Sequence, residues 1–139
     1  MKLLLDADVL LDTALRRQPF AADSDRLVQW CQETPQSAMV AWHSVSNLYY
    51  LLRIAVADAK AREFISDLMR FTTVTSGGTG AVRQALLIPM RDFEDALQVS
   101  AALAGGAEVI VTRNVRDFAR SPLPAVTPAH FLRKIRPDE

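Results

Sequence analysis

A chain of 139 residues, half of them hydrophobic, can enclose one continuous core and leaves little room for a second independent domain, so residues 1–139 are expected to form a single unit. Sixteen basic residues balance sixteen acidic ones, which excludes recognition of nucleic acid by bulk charge and leaves any phosphate affinity to locally placed cations or to a metal. The lone cysteine, Cys31, excludes an internal disulfide and implies a reducing compartment. The apolar start Leu3-Leu4-Leu5 is cut short by Asp6, and no run approaches the roughly 20 residues of a bilayer span, so a cytoplasmic protein without a membrane segment is expected.

Leu3-Leu4-Leu5 reads as a short buried strand that delivers Asp6 at its carboxyl end, where open parallel sheets place their ligands. Val9, Leu10, Leu11 and Leu15 then recur at helical spacing, and Arg16-Arg17-Gln18-Pro19 breaks that helix. A second helix runs from Phe20 to about Gln32, with Asp23 or Ser24 near its start, and Thr34-Pro35 ends it. A strand over Ser37 to Ala41, a helix over Trp42 to Ala57, a helix over Asp58 to Arg70 and a β-branched strand over Phe71 to Thr75 follow. After the turn Ser76-Gly77-Gly78, Pro89 separates a helix over Gly80 to Ile88 from one over Phe93 to Ala104, and Gly105-Gly106 closes the latter. Glu108 to Thr112 is the clearest strand. A short strand at Ala125-Val126 and a helix from Pro128 to about Ile135, capped by Thr127, finish the chain. This alternation predicts an α/β fold: three layers, α/β/α, around a mainly parallel sheet of about five strands.

Three acids fall where the edge of that sheet should be. Asp6 ends the first strand, Asp95 lies in the first turn of a helix, and Asp117 follows the Thr112 strand. Carboxylates aimed at one point repel one another unless a hard cation such as Mg²⁺ or Mn²⁺ neutralises them. Each acid also has a local explanation, since Asp95 suits a helix dipole and Asp6 can cap the helix that follows it.

The blocks Leu3-Leu4-Leu5-Asp6-Ala7-Asp8-Val9-Leu10-Leu11-Asp12, Asp92-Phe93-Glu94-Asp95-Ala96-Leu97-Gln98 and Val109 to Phe118, with the tail Val126 to Leu132, resemble in order the motifs of PIN domains. That family consists mostly of metal-dependent ribonucleases, and its small bacterial members are often VapC-type toxins paired with an antitoxin. The resemblance implies Mg²⁺ or Mn²⁺ held by Asp6, Asp95 and by Asp117 or Asn114, an RNA substrate, a homodimer and an antitoxin partner. Where the family commonly has a glutamate, this chain has Asn47, whose neutral oxygen removes one negative charge; Asp8, Asp92 or Glu94 could supply it. Thr112 and Asn114 are expected to orient a ligating carboxylate or a phosphate, and Arg113 and Arg116, with Arg91 nearby, to meet the RNA backbone.

Three further features weigh on the function. His43 and His130 lie near no nucleophile at a spacing that makes a triad, and read as structural or exposed. Trp42, Tyr49 and Tyr50 offer base stacking, although Tyr49 shares an apolar stripe with Leu48 and Leu52 that suits core or dimer packing. Asp6-Ala7-Asp8 is also similar to the nucleophile loop of haloacid-dehalogenase-like phosphatases. That reading fails downstream, where Leu10 occupies the position of a hydroxyl residue and only Lys134 is available as the late lysine. The remaining rival is a PIN-like domain that binds RNA or protein without cutting.

Overall fold

The computed structural model describes residues 1–135. Five strands, β1 (Leu3–Leu5), β2 (Ala38–Ala41), β3 (Thr72–Thr75), β4 (Val109–Val111) and β5 (Ala125–Val126), form one sheet in the order β3-β2-β1-β4-β5, and every pairing is parallel. Helices α1 (Ala7–Ala14), α2 (Ala21–Glu33), α3 (Trp42–Ala55), α4 (Asp58–Leu68), α5 (Thr79–Leu87), α6 (Phe93–Gly105) and α7 (Pro128–Ile135) cover it. The period-2 alternation of the strands divides the core into two layers. Leu3, Leu5, Ala38, Val40, Val109 and Val111 turn toward the layer that includes Val9, Leu10, Leu27, Leu48, Leu52 and Phe131. Leu4, Met39, Ala41 and Ile110 turn the other way, onto Val99, Ala101 and Ala102 of α6. Each fully buried Leu, Ile or Val contributes about 1.5–3 kcal/mol, which is why strands of only three residues hold their place.

The expected α/β/α layering and five strands are present, with small differences at the ends of elements. Helix α2 starts at Ala21 with no side-chain cap, because its N-cap residue is Phe20, while Ser24 lies inside the helix, buried, its hydroxyl without a partner. Helices α3 and α4 stop two residues before the predicted ends, and β2, β3 and β4 are trimmed to the residues that pair. A 3-10 turn over Val115–Phe118 follows β4 and was not foreseen, since its only apolar anchor is the buried Phe118. No described helix is long and apolar enough to cross a membrane. Cys31 is buried, and burial pushes its thiol up to about 12.

Two features of this architecture set the site. The chain leaves β1 toward β2 and β3 on one side and returns as β4 on the other, so the order reverses between β1 and β4, where parallel sheets open a crevice at the carboxyl ends of the strands. Helix α6 presses close against the sheet because Gly105 has no Cβ. One built there would lie 2.6 Å from both Met39 Sδ and Thr75 Cγ2. Gly106, at φ +75°, then caps the helix in the left-handed conformation that glycine adopts without strain.

Candidate metal centre

Asp6 occupies the first residue past β1 and is held from two sides. Its Oδ1 accepts from the Ala7 amide at 2.8 Å, capping α1, and its Oδ2 accepts from the Thr112 hydroxyl at 2.8 Å, across the β1–β4 reversal. Local capping and a place in the site thus coexist in one side chain. Thr112 is fully buried, and its oxygen in turn accepts from the Asn114 amide at 3.1 Å. Asp8 Oδ2 accepts from the Arg113 amide at 3.3 Å and from Asn114 Nδ2 at 3.1 Å, while Asp8 Oδ1 is buried without a partner. The loop after β4 is therefore fastened to the start of α1.

The other half of the cluster comes from α6. Asp92 caps the helix by accepting from the Asp95 amide at 3.2 Å, and carboxylate oxygens of Asp92, Glu94 and Asp95 lie within 4.8 Å of one another. Glu94 Oε1 meets His43 Nε2 of α3 at 3.2 Å and accepts from Gln98 Nε2 at 3.1 Å. Gln98, fully buried, also donates to Ser44 Oγ at 2.6 Å. These bonds hold Glu94 below the usual carboxylate range, with the His43 contact the largest cause.

Burial and crowding move the neighbouring acids the other way. Asp6 is pushed up to about 7, first by burial, then by the charges of Asp8 and Glu94, against the hydrogen bonds from Thr112 and Ala7. Asp95 is likewise pushed up to about 7, by burial and then by Glu94, Asp92 and Asp6. Burial also raises Asp8, against the Arg113 amide and charge. Oxygen-only donors, mutual repulsion and the orphaned Asp8 Oδ1 fit a hard divalent cation, which needs several oxygens and repays their crowding.

The structure brings Asp6, Asp8, Asp92, Glu94, Asp95, Thr112 and Asn114 of the expected set to one edge, and it adds His43, Gln98 and Ser44. Asp117 lies in the 3-10 turn, exposed, on the wall of a separate cavity shared with Arg91, Arg116 and Arg120. Asn47 is exposed, one helical turn beyond His43 on the same face of α3. Arg113 points its guanidinium at the buried face of α1: Nε stands 3.1 Å from Oδ2 of the fully buried Asp12, and Cζ lies 4.2 Å over the Phe20 ring. The Tyr49 hydroxyl donates to Asp58, whereas Trp42 and Tyr50 are exposed. His43 carried no local signal. Two spacings did point to partners, because Glu94 with Gln98 and Asp8 with Asp12 stand four apart and so share helix faces.

Similar folds occur among solved structures. VapBC-1 from nontypeable Haemophilus influenzae matches with a TM-score of 0.69 and 14% identity, over 93% of this chain and 99% of that one. VapBC2 from Rickettsia felis, bound to a promoter DNA fragment, matches at 0.67 and 13%, over 90% and 97%. VapC20 of Mycobacterium tuberculosis, a Sarcin-Ricin loop cleaving toxin, matches at 0.64 and 16%, over 78% and 87%. No relative was found among curated protein sequences. The family model of the PIN domain matches residues 2–116, a span that runs from β1 through α6 into the turn after β4 and takes in both halves of the carboxylate cluster. The chain belongs to the PIN-domain family.

Proposed function

We propose that this protein is a metal-dependent ribonuclease that hydrolyses RNA phosphodiesters at the carboxylate cluster, and that it is the toxin of a cytoplasmic toxin–antitoxin pair. The observation that carries this reading is the carboxylate group Asp92, Glu94 and Asp95 at the start of α6, with Asp6 at the end of β1 near enough that its charge acts on Asp95 and the charge of Glu94 acts on Asp6. Asp6, Asp95 and Glu94 would hold Mg²⁺ or Mn²⁺, with Asp8, Asp92 and the Asn114 amide oxygen around them. Glu94 then supplies the charge that Asn47 lacks, held in place by His43 from the same helix. Asp117 enters this reading from the rim, through the neighbouring cavity. When bound, the cation supplies positive charge at the scissile phosphate and acidifies a water for in-line attack. Thr112 fixes the Asp6 carboxylate by donating to it, His43 and Gln98 keep Glu94 ionised, and the proton that Asp95 holds near neutral pH leaves as the cation enters.

The toxin assignment draws on the similar chains, three of which come from VapBC complexes or a VapC toxin. A homodimer and an antitoxin are the partners it names, and the apolar groove of about 1010 Å³ lined by Trp42, Val45, Tyr49, Tyr50 and Ile65 suits such a protein partner. The test is cleavage of RNA with Mg²⁺ or Mn²⁺, abolished by chelation and by Asp95→Asn. Activity indifferent to both would sink the nuclease reading. The neutral, exposed Asn47 favours a second reading, a PIN domain that binds RNA or protein without cutting. Intact metal binding with no cleavage would select it.

A further inference from the structure

Beside the carboxylates lies a cavity of about 690 Å³, walled by Pro89, Met90, Arg91, Arg116, Asp117 and Arg120. Three guanidiniums against one carboxylate leave it a formal +2. Arg16, Arg62 and Arg113 have their charge engaged by Asp25, Asp58 and Asp12. Arg91, Arg116 and Arg120 make no ion pair or side-chain hydrogen bond with any described residue. Arg91 immediately precedes Asp92, the cap of α6, so one wall of the cavity continues directly into the helix that carries Glu94 and Asp95; Arg116 and Arg120, on the other, follow Asn114, whose side chain donates to Asp8. Planar guanidiniums match phosphate oxygens in a bidentate way, and three around one hollow can grip a phosphate from several sides.

We infer that this arginine-lined cavity is a backbone-phosphate subsite for single-stranded RNA, holding a phosphate adjacent to the one presented to the carboxylates. The identity of the strand rests on the nuclease reading above. A chain whose total charge is zero thereby gains local positive potential where the substrate must lie.

The test reads binding without turnover, by anisotropy of a labelled RNA of roughly 12 nucleotides on the full chain carrying Asp95→Asn. Arg91→Ala and Arg120→Ala should each weaken binding about threefold or more at about 0.1 M KCl and lower the log–log salt slope by about 0.7, additively, while the lysine variants keep the slope. Arg83→Ala, on the exposed face of α5, should change neither. Unchanged affinity and slope in the double variant, or an equal loss from Arg83→Ala, would overturn the subsite. So would uridine monophosphate or inorganic phosphate binding as tightly as the RNA, which would mark a pocket for a free anion, or a polyglutamate peptide displacing the RNA at lower concentration. Arginine-dependent binding without metal-dependent cleavage would defeat the nuclease reading alone, whereas intact cleavage with arginine-independent binding would defeat the subsite alone.

Discussion

Replacing Arg113 with alanine removes the nearest cation from a buried carboxylate. Asp12 is fully buried, neither of its oxygens has a hydrogen-bond partner, and Arg113 Nε stands 3.1 Å away. Breaking one side of a buried pair costs about 3–5 kcal/mol. The cavity of about 370 Å³ beside Asp12 and Arg113 admits water, and Arg17 contributes some opposing charge, which places the loss at the low end. Protonation sets a ceiling. Neutralising a carboxyl of ordinary pKa near 4 costs about 4 kcal/mol at pH 7 but only about 1.5 kcal/mol at pH 5. Urea unfolding should therefore show a loss of about 3 kcal/mol at pH 7 that shrinks to about 1 kcal/mol at pH 5. Adding Asp12→Asn should recover most of it. A loss under about 1 kcal/mol at pH 7, or a larger one that ignores both pH and Asp12→Asn, would refute the role given to this pair.

Three other outcomes follow from the cluster. Because Asp6 and Asp95 are raised to about 7, their contribution to metal-free stability is fully present below about pH 4 and is lost as pH rises through 7. Thermal melts should show Mn²⁺ reversing that loss, with a shift that grows from pH 6 to pH 8; no shift at pH 8 would contradict it. Gln98→Leu, which fills about the same space but removes one of the bonds that hold Glu94, should weaken Mn²⁺ binding about tenfold by calorimetry. The Asn47→Glu variant should leave Mn²⁺ affinity unchanged, because Glu94 already supplies that charge, and a clear gain would contradict the place given to Glu94.

Much of the framework was legible because it depends on short-range pattern. Leu3-Leu4-Leu5 read as a short buried strand, Pro89 separated two helices, and Gly105-Gly106 closed the second of them, whereas the close approach that Gly105 allows to Met39 and Thr75 had no local sign. The acids at strand ends were visible for the same reason, since the parallel sheet dictates where a ligand meets it. What escaped was tertiary. The contact of His43 with Glu94 joins residues 51 apart in sequence, from helices on opposite sides of a crossover, and no local periodicity encodes it. Arg113 stands among the motif residues and reads as a substrate contact, yet the buried face of α1 that carries Asp12 draws it inward. Asp117 follows β4 closely in sequence, but the unforeseen 3-10 turn carries its side chain to the neighbouring cavity.

Asp6, Glu94 and Asp95 as holders of one divalent cation are tested most directly by a crystal soaked in Mn²⁺. The account predicts an anomalous peak between β1 and the start of α6, with oxygens of Asp6 and Asp95 at about 2.1–2.3 Å and Glu94 reaching it directly or through one water. A peak at other residues, or an empty edge at millimolar Mn²⁺ and pH 8, would contradict it.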